Sequence, residues 1–257
     1  MCFELDSVPP IPAISGGAPV RSEDVVLEAA DGTRLAAFAA QPDDGARVGI
    51  VVLPDVRGLY GFYEQLALRF AERGYAAVAF DYFGRTAGVS KRDDEFPYMD
   101  HVAQTTPETI AQDVRAAVEH LRSPGGGACE TVFAVGFCYG GRHAWLATAD
   151  GHGLAGAVGF YGSTGERNGA PGPTQRAAEF AAPILALQAG ADQNILPEHN
   201  AAFDQALTAA GVEHEIVVYD GAPHSFFDRK QEEFADASAD AWERVLGFIR
   251  RYGASAG

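Results

Sequence analysis

The sequence predicts a mostly parallel α/β sheet of about eight strands with helices on both faces. Two observations predict this layout. Short apolar runs alternate with longer stretches of helical period. The runs are nearly continuous instead of alternating with polar residues, as in Val48-Gly49-Ile50-Val51-Val52-Leu53, which suits strands buried on both faces. A third observation concerns function: chemistry-bearing residues stand just after the runs, where open parallel sheets build their sites.

In chain order, residues 1–20 are rich in proline and glycine (Pro9-Pro10-Ile11-Pro12, Gly16-Gly17-Ala18-Pro19). Proline has no amide hydrogen for a sheet ladder, so this is expected to be an arm lying on the domain formed by residues 21–257. Val25–Glu28 and Arg34–Phe38 are expected to pair about Asp31-Gly32, a hairpin signal. After the run at Val48–Leu53, Phe62, Leu66 and Phe70 share one helical face, and Gly74 stops the helix. Tyr75–Phe80 is the next strand. A helix over Pro107–Arg122 carries Ile110, Val114, Val118 and Leu121 at helical spacing with proline in its first turn. Strands follow at Thr131–Val135, Leu154–Phe160, Ile184–Gln188 and Glu215–Tyr219. Helices are expected from about Gly140, over Pro197–Ala210, and at the end, where Ala241, Val245, Phe248, Ile249 and Tyr252 share a face. Residues 82–106 show no clear period, and a loop of that length in a compact domain is usually functional or mobile.

With 257 residues, the chain can bury about 70–75% of its unfolded surface. Its 19 basic and 35 acidic residues give a formal charge of −16, which repels phosphate backbones and anionic lipid and argues against nucleic acid as a partner. The three cysteines, Cys2, Cys129 and Cys138, make no disulfide framework and no metal-type Cys-x-x-Cys pair. Met1-Cys2-Phe3-Glu4-Leu5-Asp6 shows no basic region followed by an apolar run, so no secretory signal is expected, and no apolar stretch approaches 18 residues, so no membrane association and a cytoplasmic location are expected. Gly125-Gly126-Gly127 precedes a strand, whereas the dinucleotide-binding fingerprint follows one.

After the strand at Thr131–Val135 comes Gly136-Phe137-Cys138-Tyr139-Gly140-Gly141, a G-x-S-x-G nucleophile elbow with cysteine in place of serine. Such a turn pushes the sulfur out of the sheet at a helix N-terminus, where the dipole favours the thiolate. A nucleophile of this kind needs a base, and the base needs an orienting acid; in this architecture their chain order is nucleophile, acid, base. Asp192 follows the strand ending at Gln188, and His224 follows the strand ending at Tyr219, so Cys138, Asp192 and His224 are in the required order. The other histidines, His101, His120, His143, His152, His199 and His214, lack that placement and are expected mostly to face solvent or cap helices.

These motifs, together with Gly190-Ala191-Asp192, Pro223-His224-Ser225-Phe226 and Asp81-Tyr82-Phe83-Gly84-Arg85, resemble the dienelactone hydrolases (carboxymethylenebutenolidases) of the α/β-hydrolase superfamily, over roughly Val25 to Tyr252. The resemblance implies the α/β-hydrolase fold and a Cys-His-Asp triad. It also implies no cofactor or metal, and a small-molecule ester or lactone substrate hydrolysed through a thioester. It places the oxyanion hole at the amides of Tyr139 and Val56. It makes Arg85 one of two arginines for a substrate carboxylate. The second is expected four residues after the histidine, where Asp228 stands instead, with Arg229 next; Arg57 is a substitute candidate. Asp55 stands where relatives often carry a glutamate that interacts with the resting cysteine. The Asp228–Arg229 shift favours a broader aryl or carboxylesterase, with phosphotriester cleavage as a side activity. A reading from another class is a non-catalytic hydrolase-fold binding protein with a redox-sensitive thiol. The expected assembly is a monomer or weak homodimer.

Overall fold

The computed structural model describes residues 3–14 and 19–253. Cys2 and the Gly16-Gly17-Ala18 stretch expected in the arm lie outside the described residues. Eight strands form one sheet: β1 (Val20–Glu28), β2 (Arg34–Pro42), β3 (Val48–Leu53), β4 (Ala76–Phe80), β5 (Thr131–Phe137), β6 (Gly156–Phe160), β7 (Ile184–Ala189) and β8 (His214–Tyr219). Their spatial order is β1-β2-β4-β3-β5-β6-β7-β8. β1 and β2 pair antiparallel, as do β2 and β4; all later pairings are parallel.

The helices are α1 (Gly61–Ala71), α2 (Gly84–Ala87), α3 (Tyr98–Val102), α4 (Pro107–Arg122), α5 (Tyr139–Leu146), α6 (Pro173–Arg176), α7 (Pro197–Ala210) and α8 (Ala235–Gly253). They divide between the two faces of the sheet. One core joins α1 and α8 through Phe62, Leu66, Phe70, Trp242, Val245 and Ile249; the other joins α4, α5 and α7 through Val114, Val118, Trp145, Phe203 and Leu207. Every residue of β4, β5, β6 and β7 is buried, which is why these strands read as unbroken apolar runs. β8, at the sheet edge, is only partly covered.

α4 begins where Pro107 predicts, and Thr106 and Thr109 close a reciprocal cap on its first turn. The hairpin strands run further than expected, from Val20 to Pro42, because the β1–β2 register continues past the apolar residues. β6 begins at Gly156, two residues after Leu154.

Residues 82–106 hold two short helices, α2 and α3, among irregular backbone. A buried ion pair fixes this segment: Arg92 Nη2 lies 2.7 Å from Asp81 Oδ2, with side chains 3% and 0% exposed. Asp81 also accepts the amides of Leu59 and Phe83. The Arg92 guanidinium sits 4.6 Å over the Phe96 ring, and Phe96 stacks on His101 at 4.6 Å. No helix among the described residues is long and apolar enough to cross a membrane.

Candidate active site

β5 ends at Phe137, α5 begins at Tyr139, and Cys138 alone makes the turn between them, at φ 54° and ψ −110°. A non-glycine residue held there stores strain of about 1–3 kcal/mol, which the surrounding structure must impose. The imposing contacts are visible. Cys138 donates its amide to the Phe160 carbonyl at 2.9 Å and accepts the Arg142 amide at 3.2 Å. Strand and helix also approach so closely that a Cβ on Gly136 would strike the Gly140 carbonyl, and one on Gly140 would strike the Leu53 carbonyl. Glycine at both positions is therefore a steric requirement of the elbow.

Asp192 lies three residues past β7, with its side chain wholly buried. Its Oδ2 is 2.6 Å from His224 Nδ1, and its Oδ1 accepts the amides of Asn194 at 2.8 Å and Ile195 at 3.3 Å. Burial alone would raise the carboxyl pKa. The bonds from His224 and the two amides outweigh burial and hold it below the ordinary value, so Asp192 is a carboxylate at neutral pH and Nδ1 is the donor. The other ring nitrogen, Nε2, is thereby the one that can accept a proton. Tyr161, at φ 36°, packs its ring 4.8 Å from the imidazole.

Tyr139 is the first residue of α5, where a helix amide has no partner one turn back. Its phenol is tied down, with the oxygen 2.5 Å from Thr105 Oγ1 and the ring edge-on to Tyr82 at 5.4 Å. Tyr82 in turn donates to the Pro54 carbonyl at 2.7 Å, which joins the elbow helix to the loop carrying Asp55, Val56 and Arg57. Asp55 is fully buried and accepts from the Arg57 amide at 2.8 Å and the Tyr60 hydroxyl at 2.9 Å; Val56 between them is half-buried.

A cavity of about 640 Å³ opens beside His224 and Asp192, and Arg57, Tyr98, Glu4 and Lys230 are among the residues that line it. Arg57 is one of these lining residues; its Nε is buried with no hydrogen-bond partner, and its guanidinium lies 5.7 Å over the Tyr98 ring. Arg85 does not line it. Its guanidinium is bound to Asp31 at 2.8 Å and to buried Asp113 at 2.6 Å, on the β1–β2 turn and α4. Arg229 also turns elsewhere, donating to the carbonyls of Pro9 and Ile11, while Asp228 accepts the amides of Val8 and Lys230. The structure thus brings Cys138, Asp192, His224, Tyr139, Val56, Asp55 and Arg57 to the carboxyl ends of the parallel strands and leaves Arg85 and Arg229 in structural pairings. Phe3, Glu4, Tyr98 and Lys230 were not legible as site residues, because they stand on segments with no periodic signal. Two histidines expected to face solvent or cap helices are instead buried: His143 in α5, packed 4.5 Å from the Tyr139 ring, and His152. His199 does cap, accepting the Leu196 amide at the start of α7.

The sheet order, the elbow at the end of β5 and the acid and histidine after β7 and β8 define an α/β-hydrolase. The chain belongs to the dienelactone hydrolase family, whose model matches residues 35–253. A Yersinia pestis protein named "Putative carboxymethylenebutenolidase" is 30% identical over 231 residues, covering 88% of this chain and 86% of that protein. The crystal structure of a Klebsiella pneumoniae protein described as a "Putative Dienelactone Hydrolase" superposes with a TM-score of 0.79 at 27% identity, covering 91% of this chain and all of that one. A metagenomic protein described as a dienelactone hydrolase-like promiscuous phosphotriesterase shares the fold, with a TM-score of 0.78 at 22% identity over 92% of this chain and 99% of its own.

Proposed function

We propose that this hydrolase cleaves ester or lactone bonds through Cys138, His224 and Asp192 by way of a thioester. The observation that carries the reading is the 2.6 Å bond from His224 to a wholly buried Asp192, set past neighbouring parallel strands that share a sheet with the cysteine elbow. His224 Nε2 takes the Cys138 proton, and Asp192 holds the tautomer and stabilises the imidazolium. The thiolate sulfur bonds to the carbonyl carbon, and the carbonyl π pair moves onto oxygen, where the amides of Tyr139 and Val56 receive it. Collapse expels the alkoxide, which leaves with the proton from His224. His224 then removes a proton from water, hydroxide adds to the thioester, and Cys138 departs as thiolate with the acid product.

Arg57 supports a substrate carrying a single carboxylate, since it is the arginine that lines the cavity while Arg85 and Arg229 are bound to other groups. The same two pairings favour a broad esterase over an enzyme that clamps its substrate between two arginines. Cleavage of phosphotriesters as a side activity is a second reading, favoured by the fold shared with the metagenomic promiscuous phosphotriesterase. The test is Cys138→Ala assayed on p-nitrophenyl acetate, dienelactone and a p-nitrophenyl phosphotriester. Loss of ester turnover by a factor of roughly 10³ or more, with an unchanged melting temperature, is expected. Ester turnover within tenfold of wild type ends the assignment.

A further inference from the structure

Residues Phe3 to Ile11 belong to no strand or helix, yet Phe3, Glu4 and Ser7 line the same cavity as Asp192 and His224. Phe3 is 2% exposed and stacks on Phe62 at 4.0 Å, with Phe137 at 6.0 Å and Tyr161 at 6.1 Å. Phe137 precedes Cys138, and Tyr161 packs on His224. The arm is therefore anchored behind the elbow and passes the cavity on its way out.

Its second anchor is the segment after His224. Asp228 accepts the Val8 amide, the Arg229 amide donates to the Val8 carbonyl at 3.0 Å, and Lys230 Nζ meets Asp6 Oδ1 at 2.7 Å and Glu4 Oε2 at 3.3 Å. This accounts for the acid at 228: the stretch that would present an arginine to substrate serves here as a clamp for the arm. The clamp also sets the charge around the cavity. Among the described residues, two cationic side chains line it, and they differ in partners. Arg57 has a buried Nε with no hydrogen-bond partner, whereas Lys230 faces two carboxylates. Side-chain exposures of 42% for Lys230, 76% for Glu4 and 73% for Asp6 make these pairs weak contributors to stability. Their effect on a charged ligand at the same mouth is direct, because a lysine next to two acids offers no net attraction to a third.

We propose that Glu4 and Asp6 are specificity-determining residues of this site: they neutralise Lys230, so that a substrate carboxylate is read by Arg57 while Lys230 gives it no second hold. The proposal rests on the assignment of the cavity to ester or lactone hydrolysis, and it extends that assignment to the charge of the substrate that is accepted.

The experiment compares kcat/KM for mono-p-nitrophenyl glutarate, an anionic ester, with that for neutral p-nitrophenyl butyrate, and measures glutarate binding by calorimetry. In a Glu4→Gln/Asp6→Asn variant the anionic-to-neutral ratio rises roughly two- to fivefold at low salt, and glutarate binds tighter by a similar factor. Adding Lys230→Gln returns both to near the wild-type value, and salt near 0.5 M shrinks the difference. Asp43→Asn/Asp44→Asn, the same change of net charge on the exposed β2–β3 turn, leaves the ratio unmoved. An unchanged ratio in the double variant, or an equal rise in the turn variant, overturns the proposal. If wild type hydrolyses neither ester, the hydrolytic assignment falls, and glutarate binding alone decides: no tighter binding by the double variant overturns the role of the arm.

Discussion

Cys138, Asp192 and His224 each stand within five residues of the end of a parallel strand. Tyr98, Phe3, Glu4 and Lys230, which form walls of the cavity beside Asp192 and His224, stand on segments that belong to no strand. The first set inherits its position from the sheet. β5 and β7 are buried throughout, and each is paired in parallel with a neighbour on both sides, so their ends are held by two hydrogen-bonded ladders. The second set is positioned by side chains: Arg92 on Asp81, Tyr139 on Thr105, and Asp228, Arg229 and Lys230 on the arm. Chemistry fixed by the sheet and selectivity fixed by individual contacts differ in what a single substitution does. A change in the proposed triad should alter rate at constant fold, and a change in a wall contact should alter stability or selectivity.

Asp192→Asn gives the largest expected effect and tests the first half of this contrast. An asparagine keeps the shape but favours the wrong imidazole tautomer, so kcat on p-nitrophenyl acetate should drop by roughly 10³–10⁴. The acid limb of stability should flatten as well. A carboxyl held below its ordinary pKa contributes stability that is present above its unfolded pKa and lost as pH falls through the folded one. Activity within tenfold of wild type would mean that the strand-end carboxylate does not serve His224.

Arg92→Met probes a wall contact buried as deeply as the core. It leaves the Asp81 carboxylate, 0% exposed, without its cation, at a cost of about 3–5 kcal/mol in urea unfolding. Because Asp81 also accepts the amides of Leu59 and Phe83, the loss should loosen residues 82–106 and raise KM more than it lowers kcat. A change below about 1 kcal/mol would show that the segment is held by Phe83, Phe96 and His101 packing alone.

The legible part of the molecule follows the same division. The mostly parallel sheet with helices on both faces and the spans of β3, α4 and α7 follow from apolar period, from a proline in the first turn of each of these helices, and from Gly211 after α7; the spatial order of the strands was not readable. The elbow was readable because Gly136 and Gly140 are demanded by backbone approach, and the acid and histidine because they follow strands. The fates of Arg85 and Arg229 were not readable. An arginine's reach spans several ångströms, and the competitors for it, Asp113 in α4 and the Pro9 and Ile11 carbonyls, lie 28 and about 220 residues away in sequence. Burial of His143 and His152 was equally hidden, since a single polar residue carries no period.

His152→Leu tests the framework away from the cavity, in the turn between α5 and β6. Both ring nitrogens are buried without a hydrogen-bond partner, and burial, reinforced by Arg115 and Arg122, pushes the pKa down to about 4. A histidine whose folded pKa lies below its unfolded value near 6.5 costs stability as pH falls from 6.5 toward 4, because the unfolded chain then binds the proton more readily. The leucine variant removes that slope. Its urea midpoint at pH 4.5, relative to pH 7.5, should fall less than that of wild type, a difference of up to about 2 kcal/mol. Equal slopes in the two proteins would place the acid sensitivity elsewhere.

Arg229→Met gives the smallest expected effect and addresses the arm by itself. The guanidinium donates to Pro9 and Ile11 carbonyls 3.2 Å away, and the side chain belongs to an exposed residue, so its loss should cost about 1 kcal/mol, felt locally. Hydrogen exchange reads this directly. The Val8 amide, which donates to Asp228 at 3.2 Å, should exchange about fivefold faster, while amides of β5 and β7 keep their wild-type protection. Faster exchange throughout the sheet would mean that the arm and the strands open as one cooperative unit, and that the walls of the cavity are no more independent of the framework than the triad is.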